Sequence, residues 1–212
     1  MQWTLVIPLK PLPQAKSRLA DTAGDGVRPG LALAFAQDTV AAALACAAVA
    51  DVAVVTDDER AGRELSALGA RIVPDTPGSG LNAALVHGTA AVRRVRPGAA
   101  VAALNADLPA LRPAELSRVL GAAAEFPRAF LADAAGTGTT LLAAAGDRAL
   151  RPAFGVDSRI RHRALGATEL RLAGVDSVRQ DVDTGEDLRA ALALGVGPRT
   201  AAASAGLLIP GS

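Results

Sequence analysis

A doubly wound, Rossmann-like α/β fold, a mostly parallel sheet with helices on both faces, is what the sequence predicts, and three observations carry that expectation. Short, nearly continuous apolar runs alternate with segments of helical period through the first half of the chain. The intervening segments are long enough to be crossover helices, which parallel neighbours require. Gly and Pro residues punctuate the ends of the helical segments.

The first element, Thr4 to Leu9, is an apolar run with Pro8 near its end, the signature of a strand buried on both faces. Leu31, Phe35, Val40 and Leu44 recur at helical spacing and predict a helix over Leu31 to Ala47. Val52 to Thr56 is a second buried strand, and Thr56 or Asp57 is expected to cap a helix that runs to Leu68 and stops at Gly69. A third strand spans Arg71 to Val73, with Pro74 as its breaker. After the turn-rich Asp75 to Gly80, a helix over Leu81 to Val95 ends before Pro97 and Gly98. Ala99 to Leu104 is the fourth strand, and Pro113 opens a helix that reaches Ala124. Strands near Ala129 to Ala132 and Thr139 to Ala144 flank the turn Gly136-Thr137-Gly138. The second half is less regular until Thr184, a capping threonine with Asp187 three residues on, starts the last helix, which runs to Leu194.

Length and composition bound the function. The 212 residues suit one domain, residues 1–198, followed by a tail, 199–212, that is either disordered or docked through its Leu-Leu-Ile-Pro segment. Hydrophobic residues make up 50% of the chain and are mostly Ala, Val and Leu, so closely spaced elements must fill the core. An aromatic content of 2% without Tyr argues against a stacking surface for single-stranded nucleic acid. A formal charge of +1 argues against a duplex-binding footprint. The lone Cys46 permits neither an internal disulfide nor a multi-thiolate metal site, which fits a reducing cytoplasm. The apolar run at the N-terminus is too short for a signal-peptide core, and Gln37 and Asp38 interrupt the Ala-rich stretch that might otherwise span a membrane.

Three features carry chemistry. Asp107 directly follows the fourth strand, where parallel α/β sheets present their ligands, and there it either holds Mg²⁺ or caps the turn before Pro109. Asp181 and Asp183 are separated by one apolar residue, so an extended backbone turns both carboxylates to one face. Such a pair is costly without a cation between its members, although both residues can also serve the helix that begins at Thr184. Carboxylates from these two segments together have the hard oxygen chemistry that suits Mg²⁺ bridging phosphates. The loop after the first strand carries Lys10, Lys16 and Arg18 but neither a Walker-type glycine loop nor a dinucleotide fingerprint. Its cations either neutralise a polyphosphate or form a solvated cluster. Gly136 to Thr139 offers close backbone approach and hydroxyls, and Phe154 to Ser158 opens a helix whose first amides favour an anion. Arg159, Arg161 and Arg163 form a solvated face from which one can reach that anion. His87 and His162 read as structural or exposed, and Cys46 as a small buried hydrophobe.

Taken in order, these segments resemble the guanylyltransferase family of coenzyme F-420 biosynthesis, which acts on 2-phospho-L-lactate or, in its actinobacterial form, on phosphoenolpyruvate. The resemblance rests on P-L-K-x-L-x-x-A-K-S-R-L from Pro8, G-L-N-A-A from Gly80, A-D-L-P-A-L around Asp107, G-T-G-T-T from Gly136, F-G-V-D-S-x-x-R-H from Phe154 and D-V-D-T from Asp181. It is closest to the actinobacterial branch. The wider group is similar to the molybdenum-cofactor guanylyltransferase and implies a nucleotide-diphospho-sugar transferase-like fold. Its usual glycine-rich first loop is here replaced by the Pro- and Lys-bearing loop.

The resemblance implies that Asp107, Asp181 and Asp183 hold Mg²⁺ and that Lys10, Lys16 and Arg18 face the GTP phosphates. Lys16, Arg18 and Asp107 would be the catalytic set, and Leu81 and Asn82 would lie beside the nucleoside. Thr139, Gly155 and Ser158 would take the phosphate and carboxylate of a small phosphorylated acid. The product would pass to a downstream transferase of the same pathway, with no nucleic-acid or membrane partner. Two alternatives stand beside this one: a nucleotidyltransferase for another acceptor (a sugar phosphate, a molybdopterin or 3-phosphoglycerate), and a non-catalytic nucleotide-binding domain.

Overall fold

The computed structural model describes residues 1–16, 19 and 26–207. Seven strands form one sheet in the order β3-β2-β1-β4-β6-β5-β7. They are β1 (Trp3–Pro8), β2 (Val49–Val55), β3 (Arg71–Val73), β4 (Ala100–Leu104), β5 (Arg128–Ala132), β6 (Thr139–Ala144) and β7 (Thr168–Glu169). All pair in parallel except β6, which runs antiparallel to β4 and β5. This is the doubly wound, mostly parallel sheet that the apolar runs predict. Because β6 is reversed, its first residue, Thr139, lies at the edge where the parallel strands end.

The helices are α1 (Arg28–Leu44), α2 (Glu59–Ala67), α3 (Leu81–Val95), α4 (Pro113–Ala123), α5 (Ser158–Ala164), α6 (Asp176–Arg179), α7 (Gly185–Leu194) and α8 (Pro198–Ser204). Successive strand residues divide between two cores, as the two-residue period of a pleated strand requires. Leu5, Ile7, Val52 and Val54 pack with α1, α2 and α4 on one face. Val6, Ala53, Val55 and Val101 pack with Ala84, Leu85 and Val92 of α3 and with Phe154 on the other. Among the described residues no helix is long and apolar enough to cross a membrane.

Some boundaries differ from expectation for local reasons. The helix expected over Leu31 to Ala47 is shifted towards the N-terminus, because Cys46 to Ala48 turns into β2 and the Ala48 carbonyl accepts from Trp3. The cap of α2 is Asp58, which accepts from Ala61 N at 2.9 Å, while the Thr56 hydroxyl accepts from Asp58 N. Asp58 also accepts from Leu12 N at 2.8 Å and so ties the loop after β1 to α2. β7 and α6 were not foreseen; two and four residues long, they are too short to show a period.

Pro198–Ser204, at the start of the expected tail, is the helix α8, and the Leu-Ile-Pro residues 208–210 and the end of the chain lie outside the described residues. Asp38 of α1, 5% exposed, caps α8 from a distance by accepting from Thr200 N at 2.7 Å and Arg199 N at 3.3 Å. The fold also depends on a close approach at Gly88 in α3. A Cβ there would stand 2.5 Å from Val55 Cγ2 and 2.7 Å from Val6 Cγ1, both in the buried sheet. Gly88→Ala is therefore expected to lower stability by about 1–3 kcal/mol despite alanine's better helix propensity. Denaturant titration reads this, and an unchanged or raised midpoint would show that α3 can lift off the sheet freely.

Candidate active site

The expected cation-handling residues meet at the carboxyl edge of the sheet. Lys16 follows a single 3-10 turn (Leu12–Gln14) in the loop after β1 and adopts a left-handed backbone, φ 57°. Its ammonium donates to Asp107, just beyond β4, and to Asp183 Oδ1 at 2.8 Å. Burial alone would depress this ammonium, but the charges of Asp107 and Asp183 outweigh it and hold Lys16 protonated above its usual range. Burial, and then the carboxylates of Asp107, Asp183 and Asp133, push Asp181 well above the usual carboxylate range against the pull of Lys16.

Each of these carboxylates is placed by its backbone. Val182 N donates to the Asp107 carbonyl at 3.1 Å and thereby joins the two acidic segments. Val182 itself is fully buried with Leu19, Phe35, Ala110 and Leu188, which leaves its two neighbours to face the cleft. Asp187 accepts from the amides of Asp183 and Thr184 and completes the capping box with the Thr184 hydroxyl. Leu108 N donates to the Thr39 hydroxyl of α1 at 3.0 Å, and Gly197 N donates to the Pro109 carbonyl, so α1 and the start of α8 brace the Asp107 loop.

The set suits a hard divalent cation in its chemistry. Asp107 Oδ1 is buried and has no hydrogen-bond partner among the described residues, so its remaining acceptor capacity awaits a donor or a metal. With Lys16 in place, no group of three metal-ligating side chains closes around one point among the described residues. Asp107, Asp181 and Asp183 could hold such a cation if Lys16 turned towards an incoming polyphosphate. Lys10 is exposed at the end of β1, and Arg18 lies outside the described residues.

The Phe154–Ser158 segment adjoins the Gly136–Thr139 turn, which leads into β6 at the same edge of the sheet. Gly155 has φ 114° and Asp157 φ 55°, so the chain reverses ahead of α5 in a way that favours glycine at the first position. The amides of Gly155, Val156 and Asp157 are exposed and donate to no protein acceptor among the described residues. Free backbone amides in a turn are the donors that a bound anion takes up. The Ser158 amide is occupied by the Gly155 carbonyl at 3.1 Å, which leaves its hydroxyl. Arg159 N donates to the Thr137 carbonyl at 3.2 Å and joins this segment to the Gly136–Thr139 turn. Asp133 holds that turn through the amides of Thr137 at 3.0 Å and Gly138 at 2.9 Å. Arg159 and Arg163 are bound by Glu169, and Arg161 donates to the Val156 carbonyl, so all three arginines have protein partners.

His162 is a feature that sequence reasoning placed only as structural or exposed. It is fully buried between Phe130 and Phe154, whose ring centroids lie 5.8 Å and 4.9 Å away. Its Nε2 accepts from Ala153 N at 2.9 Å, so Nδ1 carries the proton and donates to Thr139 Oγ1 at 2.9 Å. The Thr139 hydroxyl proton is thereby left for another acceptor. Asn82, expected beside the nucleoside, spends its amide on the backbone of Phe154. Leu81, half-buried, opens α3 next to it.

Solved structures share this architecture. A nucleotidyl transferase from Methanothermobacter superposes with a TM-score of 0.66 at 23% identity, covering 91% of this chain and 97% of that one. CMP:2-keto-3-deoxy-manno-octonic acid synthetase superposes with a TM-score of 0.57 at 18% identity, covering 92% and 98%. The chain thus has the α/β fold of nucleotidyltransferases. The profile described as "Guanylyl transferase CofC like" matches residues 3–202, and the chain belongs to that family. It is 79% identical to the phosphoenolpyruvate guanylyltransferase of Streptomyces avermitilis over all of this chain and 98% of that protein. It is 77% identical to the enzyme so named in Streptomyces coelicolor, with both chains fully covered, and 62% identical to that of Thermomonospora curvata over 97% and 90%.

The buried imidazole makes stability depend on pH. Burial, then the charge of Arg161, lowers His162 from 6.5 to about 4. The unfolded chain therefore binds a proton below pH 6.5 that the folded chain refuses until about pH 4, so this contribution is present above 6.5 and is lost as pH falls. Between about pH 7 and about pH 5 the wild type should lose about 2 kcal/mol more stability than His162→Gln. Denaturant titrations at the two pH values measure it, and equal losses would place the imidazole in a solvated setting.

Proposed function

We propose that this chain is a cytoplasmic guanylyltransferase of coenzyme F-420 biosynthesis that moves GMP from GTP to phosphoenolpyruvate and releases pyrophosphate. The observation that carries the reading is Lys16 of the basic loop bridging Asp107 and Asp183 at the carboxyl edge of the sheet, where the start of β6 also lies and where Arg159 N ties the Gly155 to Asp157 segment to the Gly136–Thr139 turn. The names of relatives 76–79% identical over the whole chain support the choice of nucleotide and acid.

A phosphate oxygen of the acid forms a bond to the α-phosphorus of GTP while the bond from that phosphorus to the bridging oxygen of the leaving pyrophosphate breaks. The attacking phosphate is already ionised, so no general base is needed. The work of the protein is to bring two polyanions together in line. Lys16 turns its buried charge to the triphosphate, with Lys10 and Arg18 of the same loop and with Leu81 beside the nucleoside. The amide of Gly155 and the hydroxyls of Ser158 and Thr139 receive the phosphate and carboxylate of the acid. Asp107, Asp181 and Asp183 would hold Mg²⁺, which when bound supplies neutralising charge to the phosphates. The product, a diphosphate bridge between guanosine and the acid, passes to a downstream transferase.

Pyrophosphate release from GTP is expected to be at least about tenfold faster with phosphoenolpyruvate than with 2-phospho-L-lactate or 3-phosphoglycerate in a competition assay. Asp107→Asn should lower turnover by about 100-fold or more while leaving the circular dichroism spectrum unchanged. Turnover of a sugar phosphate with none of the three acids would refute the proposed acceptor, and full activity in Asp107→Asn would refute the proposed site.

A further inference from the structure

We infer that Asn82 is a positioning residue of the acid subsite, acting through the backbone of Phe154, rather than a contact of the nucleoside as the family resemblance implies. The inference rests on the guanylyl transfer proposed above. Asn82 is the second residue of α3, yet both polar atoms of its side chain reach across 72 positions to a single residue. Its Oδ1 accepts from Phe154 N at 2.8 Å, and its Nδ2 donates to the Phe154 carbonyl at 3.1 Å. Two hydrogen bonds to one residue fix the peptide planes on either side of it, as a neighbouring strand would.

The next peptide back is fixed as well. Ala153 N donates to His162 Nε2 at 2.9 Å, and the other ring nitrogen donates to Thr139 Oγ1. The Phe154 ring meets the imidazole edge to face, at 4.9 Å and 74°. Residues 153 and 154 are thus held from both sides, immediately before the amides of Gly155, Val156 and Asp157, which no protein acceptor among the described residues engages. Those amides must point to one place to receive an anion, and the turn's own bonds, from Ser158, Ile160 and Arg161 to the carbonyls of Gly155, Asp157 and Val156, tie it only to the helix that follows. The clasp supplies the fixed end from which the turn departs.

The test is steady-state kinetics of pyrophosphate release, with GTP and phosphoenolpyruvate varied in turn, for wild type, Asn82→Ala and Asn82→Asp. The aspartate keeps the size and the acceptor for Phe154 N but sets an oxygen against the Phe154 carbonyl, so it carries the test if the alanine variant does not fold. KM for phosphoenolpyruvate should rise about tenfold in both variants, which corresponds to about 1.4 kcal/mol, while KM for GTP stays within about twofold. A rise confined to GTP, or no rise in either, would overturn the inference and leave the guanylyl transfer standing. A wild-type protein that releases no pyrophosphate with any phosphorylated acid would overturn both.

Discussion

The ammonium of Lys16, held between Asp107 and Asp183, is the interaction around which the rest of the structure is arranged. Three carboxylates brought to one sheet edge repel one another and resist burial, as the raised protonation range of Asp181 shows. A fold that assembles them must supply a cation, and here it supplies one from the first loop. The same arrangement suits chemistry on phosphates, because a charge shared among acids can be drawn to a polyanion and replaced by a metal.

Everything that touches this arrangement is braced from a distance. The Thr39 hydroxyl holds Leu108, the Gly197 amide holds Pro109, and Val182 anchors its flanking aspartates through an apolar side chain. Asp58 secures the loop after β1 from the start of α2. Asp133 holds the Gly136–Thr139 turn, and Asn82 with His162 holds residues 153 and 154 ahead of Gly155. These segments are loops, and the loop after β1 and the Asp107 loop are each tied to a helix by a named side chain, which is how loops hold geometry well enough for group transfer.

The sequence made the frame legible because buried strands and crossover helices have periods, and Arg71–Val73 and Leu81–Val95 lie where the periods place them. Asp107 stood out by its position after β4, and Asp181 and Asp183 by their spacing. Their meeting with Lys16, 91 and 167 positions away, has no local signal and followed only from the family resemblance. The partners of Asn82 and Asp38 were illegible for the same reason. Each satisfies a backbone group distant in sequence, and an isolated polar residue on a helix reads as solvated until the structure shows what it faces. The one available hint for Asp38 was a lone carboxylate in an otherwise apolar, Ala-rich helix.

The proposed guanylyl transfer requires that the three aspartates share one cation site beside Lys16. Anomalous scattering from crystals grown with Mn²⁺, GTP and phosphoenolpyruvate addresses this directly. The expected result is a manganese signal in contact with the carboxylates of Asp107, Asp181 and Asp183, with Lys16 turned to the nucleotide phosphates. A signal elsewhere on the protein, with Lys16 still joined to Asp107 and Asp183, would contradict it.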